Sequence, residues 1–205
     1  MRPSQLLHYD YSVAKLFMFS TIFFGIVGMA IGVLVAFQLA CPDLNYIAGE
    51  YSAFGRLRPL HTNGIIFGFM LSGIFATWYY IGQRVLKVSM SESPFLMFIG
   101  KLHFWLYILV MILAVVTLFM GESTSKEYAE LEWPLDIAVV VVWVLWGVSI
   151  FGLIGIPLAG AAFIFPPAML SEISTQISED SGARIEGLSF GIQGFFMKTS
   201  FLISI

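Results

Sequence analysis

Charge is almost absent from four long intervals of this chain, and that absence constrains its fold more than any other feature. Between Lys15 and Asp43 lie 27 uncharged residues, between Arg58 and Arg84 lie 25, and between Asp136 and Glu172 lie 35. From Glu92 to Glu122 there are 29 residues interrupted only by Lys101. A helix needs about 20 apolar residues to cross a hydrocarbon core of about 30 Å. The spacing therefore predicts single spans over residues 16–39, 60–81 and 98–120, with a fourth starting near Leu135. Composition agrees: 59% of the 205 residues are hydrophobic and 11% are charged, where a soluble domain carries roughly a quarter charged. Mean hydropathy is +0.89. The expected fold class is all-α integral membrane.

The fourth interval is too long for one crossing and too short for two, since 35 residues make about 52 Å of helix. Pro157, Pro166 and Pro167 occupy its second half, so a break is expected near residues 155–157. A fifth apolar stretch, 188–205, contains Lys198, whose burial at mid-helix costs about 2.5–3.5 kcal/mol. That stretch is expected to be a partial span. Glu172, Glu179, Asp180, Arg184 and Glu186 give residues 171–187 the composition of a solvated loop.

Lys and Arg set orientation. Arg2 and Lys15 precede the first span and Arg84 and Lys87 follow the second, whereas the 122–136 loop holds Lys126 against five acids. The N-terminus is expected in the cytoplasm, and the acidic loop outside. Arg56 and Arg58, in the first outer loop, run against the trend. The net charge of −3 offers no basic surface to nucleic acid.

Three histidines carry the functional question. His8 sits in a polar tail and reads as solvated. His103 lies between Lys101 and Trp105, which suit the headgroup interface, so a structural role is expected there. His61 follows two arginines and opens the second span. A ring nitrogen at that place suits an axial haem ligand with guanidinium partners for the propionates. Helix packing with a capped histidine accounts for the same residues, because Gly64, Gly68 and Gly73 leave a lightly covered helix surface. His61 is expected about one residue inside its helix and His103 about six to nine residues from the opposite end. They then differ in depth by more than about 10 Å and do not clamp one haem. Glu127, Glu130, Glu132 and Asp136 present hard oxygen ligands suited to calcium, or form a solvated loop anchored by Trp133.

At Phe54-Gly-Arg-Leu-Arg-Pro-Leu-His-Thr-Asn63 the sequence resembles subunit I of the cbb-type cytochrome c oxidases, the C family of haem–copper oxidases. Gly25-Ile-Val-Gly-Met, Trp78-Tyr-Tyr, Gln83-Arg and Ser125-Lys-Glu-Tyr-Ala-Glu-Leu-Glu-Trp-Pro-Leu-Asp136 extend the resemblance over residues 9–156. It implies a bacterial inner-membrane respiratory protein with cytochrome c-type subunits as partners. His61 resembles an axial histidine of the low-spin haem b. Arg58 resembles the arginine that meets the propionates, and Glu127 and Glu130 resemble carboxylates near a bound calcium. The family's remaining ligands come from later spans, and no histidine follows His103. The 205 residues are therefore expected not to reduce oxygen by themselves. Residues 157–205, through Phe165-Pro-Pro-Ala-Met-Leu-Ser-Glu-Ile173 and Arg184-Ile-Glu-Gly-Leu-Ser-Phe-Gly191, are similar to the glycoside–pentoside–hexuronide:cation symporters. That implies a second domain at 157–205, and a transporter-related chimeric protein as the alternative function.

The orientation is directly testable. Cysteines introduced at Ser89 and Ser123 are expected to label from opposite faces of sealed vesicles, Ser89 from the cytoplasmic side. Labelling from one face contradicts it.

Overall fold

A computed structural model describes residues 8–124, 126 and 129–181, with side chains described through residue 158. Every regular element among them is helical. Helix α1 is Ser12–Ala40, α2 is Phe54–Asn63, α3 is Leu71–Leu86, α4 is Pro94–Met120 and α5 is Trp133–Ser181. A π-helical segment, Gly64–Met70, joins α2 to α3 without a turn. Four stretches are long and apolar enough to cross a membrane: Ser12–Ala40, Phe54–Leu86, Pro94–Met120 and Trp133–Leu158. The chain is a multi-pass membrane protein. It divides into two compact units, 1–151 and 152–205.

The second span starts six residues earlier than its charge pattern suggests. Asn45 Oδ1 accepts the Phe54 N–H at 2.8 Å and so caps the helix from the preceding loop. Arg56 pairs with Glu50 at 3.2 Å, donates to Phe119 O at 3.3 Å and lies 5.3 Å from the centre of the Tyr51 ring. With these partners Arg56 sits in the helix rather than in the loop. His61 is consequently the eighth residue of its helix rather than the second.

The expected break near residues 155–157 is absent, and α5 continues through Pro157, Pro166 and Pro167 to Ser181. A proline removes one i→i−4 bond and leaves its neighbours intact, which hydrocarbon surroundings favour strongly. Residues 171–181, expected as loop, are helical. The fifth apolar stretch, 188–205, lies outside the described residues.

Within the first unit, α1 receives the second span on glycine. A Cβ at Gly25 would meet the Phe69 ring at 2.9 Å, and one at Gly28 would meet Ile65 at 2.9 Å. One at Gly32 would run into the His61 ring, 2.7 Å from Nδ1. Knobs at 61, 65 and 69 thus enter holes at 32, 28 and 25, in the antiparallel order of two adjacent spans.

The end of the unit that carries Arg84 is closed differently. Phe17 lies 5.2 Å from Phe75, 4.9 Å from His103 and 5.1 Å from Phe104, ring centre to ring centre. Below this cluster, Gln83 is fully buried and takes the Asp10 and Met90 N–H groups on Oε1, at 3.2 and 2.9 Å. Its Nε2 donates to Asp10 O and Tyr79 O. Asp10 in turn accepts the Ser12 N–H at 2.8 Å, and hydrogen bonding from Ser12, its side chain foremost and its N–H second, holds the Asp10 carboxyl below the usual carboxylate range.

Candidate functional site

His61 projects from α2 toward α1, where its Nδ1 lies 2.8 Å from Gly28 O. A carbonyl oxygen only accepts, so Nδ1 carries the proton and Nε2 keeps its lone pair. The absence of a side chain at Gly32 makes room for the ring. A haem iron asks for a neutral imidazole whose second nitrogen is tied to a backbone carbonyl or a carboxylate. His61 has the backbone carbonyl on its second nitrogen and could hold a haem iron through Nε2.

Arg58 lies three residues before His61 on the same helix, a spacing that puts both on one face. Thr62 Oγ1 donates to Arg58 O at 3.0 Å and closes that turn. Beside the site, an apolar cleft of about 630 Å³ runs between α1 and α4, with Phe23, Phe24, Gly28, Leu60 and Met111 in its walls. That volume is within the range of small-molecule and cofactor pockets.

The acidic loop is not simply solvated. Glu130 is buried, and its Oε2 accepts from Asn63 Nδ2 at 3.1 Å, two residues beyond His61 on the chain. Asn63 Nδ2 also reaches Pro59 O at 2.9 Å. Glu127 lies outside the described residues. Among the described residues, no three His, Cys, Asp or Glu side chains come together in a metal-binding group.

His103 belongs to a separate cluster. It is fully buried, with Nδ1 3.0 Å from Tyr79 Oη, which itself donates to Ser149 Oγ at 3.1 Å. Ser149 donates in turn to Leu145 O. With the Tyr79 proton committed to Ser149, Nδ1–H of His103 is the donor of the first pair, and Nε2 has no partner among the described residues. His103 packs on Phe17, whereas His61 packs on Gly28 and Gly32. Eleven residues of α1 separate Phe17 from Gly28, about 16 Å along the helix, so the two histidines serve different places. His8 is exposed.

The family pattern for cytochrome c and quinol oxidase polypeptide I matches residues 12–162. The chain belongs to this family. It is 45% identical over 144 residues to the Cbb3-type cytochrome c oxidase subunit CcoN1 of Stutzerimonas stutzeri, covering 70% of this chain and 29% of that protein. Cytochrome c oxidase subunit 1 of Rhodobacter capsulatus is 40% identical over 154 residues, 75% of this chain and 28% of that one. A cytochrome c oxidase subunit 1 homolog of Agrobacterium tumefaciens is 38% identical over 152 residues, 74% of this chain and 27% of that one. The chain spans between a quarter and a third of the length of these relatives. The family match runs through Ile156 and Pro157, the boundary where the resemblance was expected to end.

Sequence reasoning singled out His61 but not the α1 residues that hold it. The available signal was the spacing of Gly25, Gly28 and Gly32, which puts three glycines on one helix face. The Tyr79–His103–Ser149 chain had no such signal, because each member stands alone in its own span.

The polar cluster makes an asymmetric prediction for unfolding of the chain in mixed micelles. Tyr79→Phe strands the buried His103 Nδ1–H and removes the bond Ser149 accepts, leaving Ser149 only its own bond to Leu145 O, and is expected to cost about 1–3 kcal/mol. His103→Leu strands none, because Tyr79 keeps Ser149, and is expected to cost less. The reverse order contradicts the hydrogen-bond assignment.

Proposed function

We propose that this chain supplies the His61 side of a haem site in a respiratory oxidase subunit I of the cbb type. The observation that carries the reading is the His61 ring itself, with Nδ1 bound to Gly28 O, its edge seated on Gly32 and Nε2 left as a ligand. A bound haem b would supply one-electron chemistry there. The chain's own contribution is to orient the imidazole and to hold its Nδ1–H on Gly28 O. Arg58 would meet the propionates. Glu130, with Glu127, would offer carboxylate oxygens to calcium. The membrane is the bacterial inner membrane with the N-terminus cytoplasmic, and the partners are cytochrome c-type subunits of the complex. The 205 residues contain no histidine after His103, so oxygen reduction would need ligands from elsewhere. Nothing beyond its quoted motifs supports a transporter origin for residues 157–205, and no transport role is proposed.

Purified chain is expected to carry far less than one haem per chain in a pyridine haemochrome assay, because one axial ligand alone holds haem weakly. Hemin added with free imidazole, which replaces the missing ligand, is expected to co-elute with the chain as a low-spin species. His61→Ala should abolish that co-elution. Retention of low-spin hemin by His61→Ala would overturn the haem-ligand reading.

A further inference from the structure

The segment directly after His61 departs from α-helical geometry, and the departure has a partner. Over Gly64–Met70 the backbone bonds run i→i+5, ending with the Leu71 N–H on Ile66 O. Tyr107 on α4 donates its hydroxyl to the carbonyls of Phe67 and Gly68, at 2.7 and 3.0 Å. Ser72 donates to Gly68 O and Phe69 O, and lies 2.9 Å from Thr21 Oγ1 of α1. Hydroxyls from α3 and α4 therefore collect the carbonyls of the middle of the widened turn.

The widening decides where the ligand points. On an α-helix with 3.6 residues per turn, positions four apart drift by about 40° around the axis. Residues 61, 65 and 69 would then spread by about 80° and form the oblique i, i+4 ridge of a regular helix. Bonds of i→i+5 unwind the helix and remove much of that drift. The observed row, His61 on Gly32, Ile65 on Gly28 and Phe69 on Gly25, runs into the unwound segment, which holds two of its three members. The far end of the span is fixed by Tyr79 and Gln83 and the near end by Arg56 and Asn63, so the winding between them bears on how His61, which lies between these anchors and the segment, is rotated.

We propose that Tyr107 is a positioning residue for His61: its hydroxyl holds the π-helical segment open, and the segment sets the rotation that delivers the imidazole to Gly28 and presents Nε2. This rests on the haem reading only for its purpose, because the rotation itself exists in the chain without haem.

The test uses the full chain in nanodiscs and reads His61 by diethyl pyrocarbonate. Carbethoxylation of His61 is quantified by mass spectrometry against exposed His8 in the same molecule. Tyr107→Phe is expected to change the His61-to-His8 ratio at least threefold with helical content and elution unaltered. Tyr79→Phe, a loss of a buried hydroxyl at the other end, is expected to leave the ratio unchanged. If Tyr107→Phe does not fold, Ser72→Ala removes the other hydroxyl on Gly68 O and is expected to move the ratio in the same direction. An unchanged ratio in the folded variant overturns the proposal, whatever the hemin result. A His61→Ala chain that still retains low-spin hemin overturns the haem reading and leaves the positioning role to stand on the ratio alone. Where hemin is bound, Tyr107→Phe is also expected to shift the low-spin electron paramagnetic resonance g-values, which a loss of stability elsewhere would not do.

Discussion

The contact of α1 with the second span is made on glycine, and the site depends on that contact. In hydrocarbon there is no hydrophobic gain from bringing two apolar helices together, so close backbone approach and van der Waals fit must hold them. Gly25, Gly28 and Gly32 provide the approach, and Phe69, Ile65 and His61 fill it. The same closeness that packs the helices brings a main-chain carbonyl within 2.8 Å of an imidazole nitrogen. Packing and ligand orientation are thus one arrangement. A larger residue at Gly32 would disturb both, because its Cβ would occupy the place of the ring.

Among the described residues, several buried polar side chains pair across helices. Gln83 ties the segment before α1 to the end of α3, Tyr79 joins α3, α4 and α5 through His103 and Ser149, and Tyr107 joins α4 to the π-helical segment. Asn63 reaches Glu130 at the other end of the unit. Each pair fixes the rotation or register of a span that apolar contacts alone leave free to slide. The polar pairs are therefore what make four generic hydrophobic helices into one arrangement with a particular face for His61.

How much of this was legible in the sequence follows from the range of each interaction. The four spans were legible because a charge in hydrocarbon is costly and the charges mark where the hydrocarbon ends. The start of α2 was not, because Arg56 sits in the helix through Glu50, Tyr51 and Phe119 O, and the last of these is 63 residues away. His61 stood out as an ionisable group in an apolar run, but its tautomer depends on Gly28, 33 residues earlier. Gly64–Met70 reads as ordinary apolar helix, and only a tyrosine 40 residues further on shows why it unwinds. Pro157 misled in the opposite direction, since a local rule for ending helices was overridden by the cost of unpaired backbone in an apolar setting.

The central claim is that the fold presents Nε2 of His61 as a free lone pair by holding Nδ1–H on Gly28 O. Nitrogen-15 magnetic resonance of the histidine-labelled chain in nanodiscs reads that tautomer directly, with the His61 signals assigned by their loss in a His61→Gln chain. The account predicts that the neutral ring of His61 carries its proton on Nδ1 and none on Nε2. A His61 ring protonated at Nε2 with a bare Nδ1 would contradict it.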